Sequence, residues 1–206
     1  LQAGVALDTL TLRGSGAVED LRLEAAANGG IGRASLSGSA RRGGNGLWRG
    51  SLDALEAAPS LGATWQLQSP ASFAQAGGAR WTLSPACLAS DVGGRLCASA
   101  DWPRQGLSVE GEQLPLALAG PYLPKRENGR PWFLDGGIDV DGQLRPAGNA
   151  WQGHLRVSSA NGALRTSARS RRDVLAYSGL ALDASFDAGS IDASLGLDFT
   201  GEGRID

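Results

Sequence analysis

In the segment Ile191–Phe199, Ile-Asp-Ala-Ser-Leu-Gly-Leu-Asp-Phe, apolar residues alternate with polar or small ones. The same alternation runs through Asp20–Glu24 (Asp-Leu-Arg-Leu-Glu) and Leu180–Phe186 (Leu-Ala-Leu-Asp-Ala-Ser-Phe). Because successive side chains of a β-strand point to opposite faces, such a run has one apolar and one polar side. Similar runs recur almost from end to end, so the sequence predicts an antiparallel sheet with a broad apolar face.

Composition supports this fold and argues against several classes of protein. The chain has 206 residues, 42% of them apolar, and a net charge of −2, which is typical of neither a disordered nor a nucleic-acid-binding protein. Its 31 glycines lack a collagen-like period and are assigned to turns and bulges. No run approaches the roughly 18 apolar residues of a membrane span, and no signal peptide is visible. The alternation continues to both ends, so we expect a segment of a longer protein.

Turn signals divide the chain into three stretches. We expect one strand array over residues 1–110, a short helix within 111–124, and a second array over 125–206, together forming one elongated fragment of a larger protein. The helix is predicted near Pro115–Gly120, because proline suits a first helical turn and Gly120-Pro121 would end it. Residues 51–58 fit either a helical or a strand period, and the flanking glycine and proline favour a strand.

Two cysteines, Cys87 and Cys97, flank a glycine pair, Gly93-Gly94. A hairpin at these glycines would place the cysteines opposite each other, and a disulfide there would contribute about 2–3 kcal/mol in the chain-entropy model. Such a disulfide indicates an oxidising compartment. The alternative is a pair of buried free thiols in a cytosolic protein.

A short motif occurs twice. Trp48-Arg49-Gly50-Ser51-Leu52 and Trp151-Gln152-Gly153-His154-Leu155 share the pattern W-x-G-x-L, and each follows a turn that contains glycine and asparagine. The spacing suggests a weak internal repeat of about a hundred residues, although two instances can also arise by chance.

The sequence carries no motif of catalysis or of cofactor binding. Its single histidine, His154, lies on the strand face opposite Leu155, which predicts a solvated side chain. There is no nucleophile elbow, phosphate-binding loop or cysteine–histidine metal spacing. Asp135–Gly142 resembles a calcium loop superficially, but it lacks the acidic spacing and final glutamate of an EF-hand. We therefore expect a strand with outward aspartates, no catalytic residue, no metal, no cofactor and no enzymatic activity.

Basic residues cluster at two predicted turns, Arg41-Arg42 and Arg169–Arg172. A solvated loop is the simpler interpretation of each cluster. Contact with anionic lipid headgroups is the functional alternative.

Several of these segments resemble the TamB family of the bacterial envelope. The resemblance rests first on Trp65-Gln66-Leu67, the run Trp81–Leu88 with its proline and cysteine, Gly94–Cys97, and Trp102. Leu114–Leu118 with Tyr122-Leu123-Pro124, the strand Asp135–Gly142 and the W-x-G-x-L motif add weaker, compositional similarity.

The resemblance implies a place in the cell and a general shape. Members of this AsmA-like group are anchored in the inner membrane by an N-terminal helix and reach across the periplasm of a Gram-negative envelope. Their body is a long sheet curled into a groove with an apolar interior, also described as a β-taco. They are linked to outer-membrane assembly, to a TamA barrel partner and to phospholipid movement. This chain would then be an internal periplasmic stretch, upstream of the partner-binding C-terminal end.

The alternating pattern agrees with such a groove, because the apolar face of a sheet must be covered by something. The sheet would have to form a sandwich, close into a barrel, or curl around a ligand. We expect a groove that holds phospholipid acyl chains. The predicted lining residues are Leu21, Leu23, Leu36, Ile138, Val140, Leu155, Val157, Leu180, Leu182, Phe186, Ile191, Leu195, Leu197 and Phe199.

Two other functions remain open. The chain could assist the assembly of outer-membrane β-barrel proteins and autotransporters, pairing with their strands and acting with a TamA-like partner. It could also be a structural β-solenoid with a filled core, although that fold predicts a repeat nearer 20 residues. Bound lipid or bound unfolded barrel protein would distinguish the first two functions.

Overall fold

The computed structural model describes residues 7–170, 172–200 and 204–205. In this part of the chain fifteen β-strands belong to one antiparallel sheet, and one 3₁₀ helix spans Leu116–Tyr122. The prediction of an all-β fold with one short helix is confirmed.

The described chain divides into two compact units. Unit 1 holds residues 7–92 and 97–107, and unit 2 holds residues 93–96 and the described residues from 108 onward. The strands that lie mainly in unit 1 are β1 (Leu7–Ala17), β2 (Asp20–Gly29), β3 (Gly32–Arg42), β4 (Trp48–Pro59), β5 (Trp65–Leu67), β6 (Ala71–Gln75), β7 (Trp81–Ser90) and β8 (Arg95–Trp102). Those that lie mainly in unit 2 are β9 (Gly106–Pro115), β10 (Phe133–Ala147), β11 (Ala150–Ser159), β12 (Gly162–Arg165), β13 (Asp173–Phe186), β14 (Ile191–Phe199) and β15 (Arg204–Ile205).

Each unit contains one strand position that is filled by two strands placed end to end. In unit 1, β5 and β6 share the position between β4 and β7. In unit 2, β11 and β12 share the position between β10 and β13. The other strands within each unit pair with their neighbours in chain order.

The ambiguous stretch 51–58 is a strand, as favoured, and lies within β4. Its helix-like spacing of leucines has a local cause. A register shift in the β3–β4 pair lets Leu52 face Gly38 while Leu55 faces Leu36. Because Gly38 and Leu36 are two residues apart on β3, both leucines lie on one face despite their odd spacing.

The helix is shorter than the 111–124 segment in which it was expected. β9 continues to Pro115, and the helix then runs from Leu116 to Tyr122. It ends one residue beyond Pro121, with the backbone N–H of Leu123 donating to the carbonyl oxygen of Gly120. Gly120-Pro121 therefore stands in the final turn of the helix and not after it.

The described chain has almost no packed core. Its buried apolar residues are all small, namely Ala40, Ala63, Ala71, Cys87 and Ala163, and no large side chain in the described part is fully buried. Several large apolar side chains of the sheet are instead exposed, among them Leu12 at 75%, Ile191 at 78% and Leu195 at 50%. Within the described residues these side chains therefore lack the cover that a filled core would give them.

Candidate functional site

The strongest candidate site in unit 1 is the apolar face of its sheet. Leu12, Ala25, Leu36 and Leu55 face one another across β1–β4, and Leu67 faces Leu88 across β5 and β7. The remaining rows of this face, in strand order, are Leu10–Ala27–Ala34–Ala57–Trp65, Gly14–Leu23–Gly38–Leu52–Ala71 and Gly16–Leu21–Ala40–Gly50–Phe73–Leu83. We call these residues the apolar face of unit 1.

Unit 2 has a corresponding apolar face with larger side chains. Val140, Val157, Leu182 and Leu195 form one continuous row across β10, β11, β13 and β14. The neighbouring rows are Gly142–Leu155–Ala184–Ala193, Leu144–Gly153–Phe186–Ile191, Ser159–Leu180–Leu197 and, through β12, Leu134–Leu164–Leu175. Apart from Ser159, all these residues are apolar.

The structure places the fourteen predicted lining residues on strands and brings most of them into these rows. None of them is buried. Three lie in unit 1 and eleven in unit 2. By strand they are Leu21 and Leu23 in β2, Leu36 in β3, Ile138 and Val140 in β10, Leu155 and Val157 in β11, Leu180, Leu182 and Phe186 in β13, and Ile191, Leu195, Leu197 and Phe199 in β14. What these residues contact in the cell stays a prediction.

Sequence reasoning missed several members of the two faces. Leu10 and Leu12 are 67% and 75% exposed in β1. They alternate with Thr9 and Thr11, so a period-two analysis of this stretch would have found them. Leu52 and Leu55 were hidden by the bulge in β4, which breaks the two-residue period.

Three consecutive alanines in β2 show how the two faces differ. Ala25 and Ala27 are half-buried, whereas Ala26 between them is exposed. Ala25 stands between Leu12 and Leu36, while Ala26 has Thr11 and a serine as its cross-strand neighbours. Because the residue type is the same, the difference comes from the larger neighbours on the apolar face.

The opposite face of unit 2 is polar and carries cross-strand pairs. Arg156 Nε lies 2.9 Å from Asp183 Oδ1, and His154 Nε2 lies 2.9 Å from Asp141 Oδ1. His154 is therefore on the polar face, as its position in the alternation predicts, and 35% of its side chain is exposed. Exposed pairs of this kind contribute about 0–1 kcal/mol each, so this face is a solvated surface.

The carboxylates of Asp135–Gly142 have separate partners. Asp135 Oδ2 lies 2.9 Å from Arg165 Nη1, and Asp139 Oδ1 accepts the backbone N–H of Gln113 at 2.8 Å. Asp141 contacts His154. Among the described residues, no group of three or more His, Cys, Asp or Glu side chains is arranged to hold a metal ion.

A shallow concavity of about 610 Å³ lies in unit 1, across β1–β5. Nine of its thirteen lining residues belong to the polar face, among them Arg13, Glu24 and Glu56, and four belong to the row of Leu36 and Leu55. This concavity carries no cluster of catalytic groups, and the apolar faces remain the stronger candidate.

Aromatic rings lie over glycines at matching positions of both units. A Cβ atom added to Gly50 would clash with the ring of Phe73 and with the carbonyl oxygen of Ser39. A Cβ atom added to Gly153 would meet the ring of Phe186 at 2.7 Å and clash with the carbonyl oxygen of Gln143. Both glycines are the central residue of a W-x-G-x-L motif, which explains why the motif contains glycine there.

The predicted disulfide between Cys87 and Cys97 is confirmed. The two cysteines face each other on β7 and β8 with their Cα atoms 4.0 Å apart. The intervening turn contains Gly93 at φ 101° and Gly94 at φ 82°, a conformation that glycine adopts without steric cost. The predicted hairpin is therefore also present.

Comparison with known proteins identifies the family. The family model described as "TamB, N-terminal domain" matches residues 1–206. No curated protein and no solved structure matches the chain. In the described residues, no helix has both the length and the apolarity that a membrane crossing requires. The chain belongs to the TamB family, whose members are transport and assembly proteins of the Gram-negative envelope.

Proposed function

We propose that this chain is a periplasmic segment of an inner-membrane-anchored bridge protein, and that its sheet curls into a groove that conducts phospholipids between the two membranes. The acyl chains would lie on the apolar faces of the two units. The full-length protein would act with a TamA-like outer-membrane barrel and thereby support outer-membrane assembly.

One observation carries the proposal: continuous apolar rows cross each unit, and within the described residues no large apolar side chain of these rows is fully buried. In unit 2 the row Val140–Val157–Leu182–Leu195 crosses four strands, and Leu195 remains 50% exposed. Leaving such a face in water is unfavourable by about 25 cal/mol per Å² of apolar surface. An occupant with apolar chains would remove that cost.

An acyl chain fits this surface because the contact needs no directional bond. Each CH₂ group removed from water contributes about 0.8 kcal/mol, so a tail is held by the whole row. Neighbouring rows are chemically alike, and a tail can therefore move from one to the next with little change in contact energy. This is a mechanism of transport without catalysis.

The test substitutes arginine on the apolar face of unit 2, with one position on the polar face as control. Leu182→Arg, Leu195→Arg and Leu197→Arg should block phospholipid transfer by the full-length protein and leave its folding mostly intact. An arginine on an open face can extend its guanidinium into water, whereas an unpaired charge in a filled core is very unfavourable. Ser194→Arg, beside Leu195 on the polar face, should preserve transfer.

Thermal unfolding is measured on the same variants. Loss of transfer without loss of folding supports the groove. Unfolding of all three leucine variants, with Ser194→Arg still folded, would replace the groove by a filled core.

A second function, assembly of outer-membrane proteins by strand pairing, is favoured by one edge of unit 1. Within the described chain β1 pairs only with β2, and its residues are all exposed. A strand whose backbone groups are unpaired on one side is able to accept a strand of another protein. The test places photo-crosslinkers at Leu12 and on the apolar face of unit 2. Capture of unfolded barrel protein at Leu12, with no lipid captured on the face of unit 2, would favour this function.

A further inference from the structure

Two loops of unit 2 that are distant in sequence leave the same end of its strands. Residues 123–132 lead into β10, and residues 166–172 connect β12 to β13. Phe133 at the start of β10 faces Arg165 at the end of β12, and Arg165 faces Asp173 at the start of β13. The two loops therefore emerge from adjacent strands. Their described basic residues, which we call the basic end of unit 2, are Lys125, Arg126, Arg130, Arg169 and Arg172.

Positive charge dominates this end. The two loops contain a single carboxylate, Glu127. The nearby strand-end carboxylates are already engaged, because Arg165 Nε lies 2.6 Å from Asp173 Oδ1 and Arg165 Nη1 lies 2.9 Å from Asp135 Oδ2. In the part of the chain that the structure describes, no carboxylate forms an ion pair with the basic end. Arg171, also in this cluster by sequence, lies outside the described residues.

The opposite end of the same strands has a different charge. There the turns are residues 148–149 between β10 and β11, and 187–190 between β13 and β14. They carry no basic residue and one carboxylate, Asp187. The backbone N–H of Gly189 and the hydroxyl of Ser190 hold the pKa of Asp187 below its ordinary value. The turns at this end therefore lack the positive charge that the two loops of the basic end carry.

The apolar face of unit 2 reaches the positive end. Its row Leu134–Leu164–Leu175 is the last apolar row before the two loops, and Leu175 is 46% exposed. Aromatic residues accompany the charges, with Tyr122 67% exposed and the Arg126 guanidinium 5.6 Å from the centre of the Trp132 ring. Basic and aromatic side chains next to an apolar surface are typical of the boundary between lipid tails and headgroups.

We propose that the basic end of unit 2 binds the phosphate headgroups of anionic phospholipids whose acyl chains lie on the apolar face of unit 2, an inference that rests on the proposed function. A headgroup cannot stay on an apolar face, because removing its charge from water is unfavourable. The strand ends are where the face stops and water begins. A phosphate there meets several arginines, which bind it through charge-assisted hydrogen bonds.

The test measures binding of the full chain to vesicles by flotation. One set of vesicles contains phosphatidylcholine alone, and the other also contains phosphatidylglycerol. The triple variant Arg130→Gln, Arg169→Gln, Arg172→Gln is compared with a control of equal charge change, Arg13→Gln, Arg22→Gln, Arg145→Gln, whose residues are exposed within strands. Circular dichroism checks that each variant folds. If the triple variant does not fold, the single variant Arg169→Gln replaces it in the binding measurement.

The unmodified chain should bind the anionic vesicles more tightly than the neutral ones. Each basic residue near an anionic surface contributes about a factor of five, so the triple variant should bind roughly a hundredfold more weakly and Arg169→Gln roughly fivefold more weakly. The control should change binding much less. About 1 M salt, at which the screening length falls to ~3 Å, should remove the preference for anionic vesicles. Inorganic phosphate at matched ionic strength should not displace the chain, because it offers no acyl chain.

Equal binding by the triple variant and its control would overturn the inference, and so would the absence of any preference for anionic vesicles. Acyl crosslinking from Leu182 separates this failure from that of the proposed function. If the crosslink persists while the basic end has no effect, only the headgroup site is wrong. If vesicle binding depends on the basic end but no acyl crosslink forms, both proposals fail, because the contact would then be peripheral.

Discussion

The two W-x-G-x-L hairpins have the same local structure. In unit 1 Gly50 faces Ala40 on one side and Phe73 on the other, and in unit 2 Gly153 faces Leu144 and Phe186. The motif tryptophan stands at or near the start of its strand in both cases, and each motif leucine faces a glycine. The repeated pattern therefore corresponds to a repeated structure, in which a glycine receives a neighbouring phenylalanine ring.

The hairpins differ in how their second strand continues. β4 runs without interruption for 12 residues, whereas β11 ends at Ser159 and β12 takes over its position. Ser159 is buried, and its hydroxyl lies 2.6 Å from the carbonyl oxygen of Gly137 and 2.8 Å from the Tyr177 hydroxyl. The comparison shows that the motif determines the packing of one ring, while the length of the strand depends on contacts elsewhere.

The largest expected effect comes from a link that only unit 1 has. Replacing both cysteines by serine, Cys87→Ser with Cys97→Ser, should lower the free energy of unfolding by about 2–3 kcal/mol, because the disulfide closes a short loop in the unfolded chain. Hydrogen exchange should show the loss in β7 and β8 and leave β13 and β14 of unit 2 protected. Equal loss of protection in both units would show that they unfold as one.

A somewhat smaller effect is expected from the glycines under the rings. Gly50→Ala and Gly153→Ala should each lower the free energy of unfolding by about 1–3 kcal/mol, the usual effect of overpacking. Gly196→Ala is the control, because its added Cβ would meet only the Ala181 carbonyl oxygen at 4.0 Å. Denaturant unfolding monitored by circular dichroism gives the comparison.

The two substitutions should have similar effects if the hairpins are equivalent. Adding Phe186→Leu to Gly153→Ala should recover part of the lost stability, because the smaller side chain can move away from the new methyl group. If the substitution at either glycine lowered the free energy of unfolding no more than Gly196→Ala does, the neighbouring phenylalanine ring could move aside without cost. The two hairpins would then not be equivalent.

The smallest effect is expected at the β13–β14 turn. Hydrogen bonds from the Gly189 N–H and from Ser190 lower the pKa of Asp187, so the folded chain favours the carboxylate. The Asp187 carboxylate therefore stabilises the folded chain above its ordinary pKa of 3.8. This stabilisation is lost as the pH falls through the lower pKa that Asp187 has in the folded chain. The stability difference between the wild type and Asp187→Asn should shrink on acidification over this window. A difference that is constant with pH would exclude the carboxylate as its source.

The sequence predicts the features that depend on residues close together in the chain, and these features make up much of the fold. Alternation located the strands of Leu180–Phe186 and Ile191–Phe199, and the glycine pair located the hairpin that joins Cys87 to Cys97. The break between β11 and β12 could not be predicted, because it accompanies hydrogen bonds between Ser159 and residues about twenty positions away in either direction. Of the basic end of unit 2, the sequence singled out only the cluster Arg169–Arg172. The loop with Lys125, Arg126 and Arg130 could not be joined to it, because the topology alone brings the two loops together.

A crosslinking scan along β13 would show whether acyl chains lie on the apolar face of unit 2. A photoreactive residue is placed singly at each position from Leu180 to Phe186 in the full-length protein, and lipid adducts are detected by mass spectrometry. We expect phospholipid adducts at Leu180, Leu182, Ala184 and Phe186, and none at Ala181, Asp183 and Ser185, because the former share the apolar face. Adducts at all positions alike, or at none, would rule out acyl chains bound to this face.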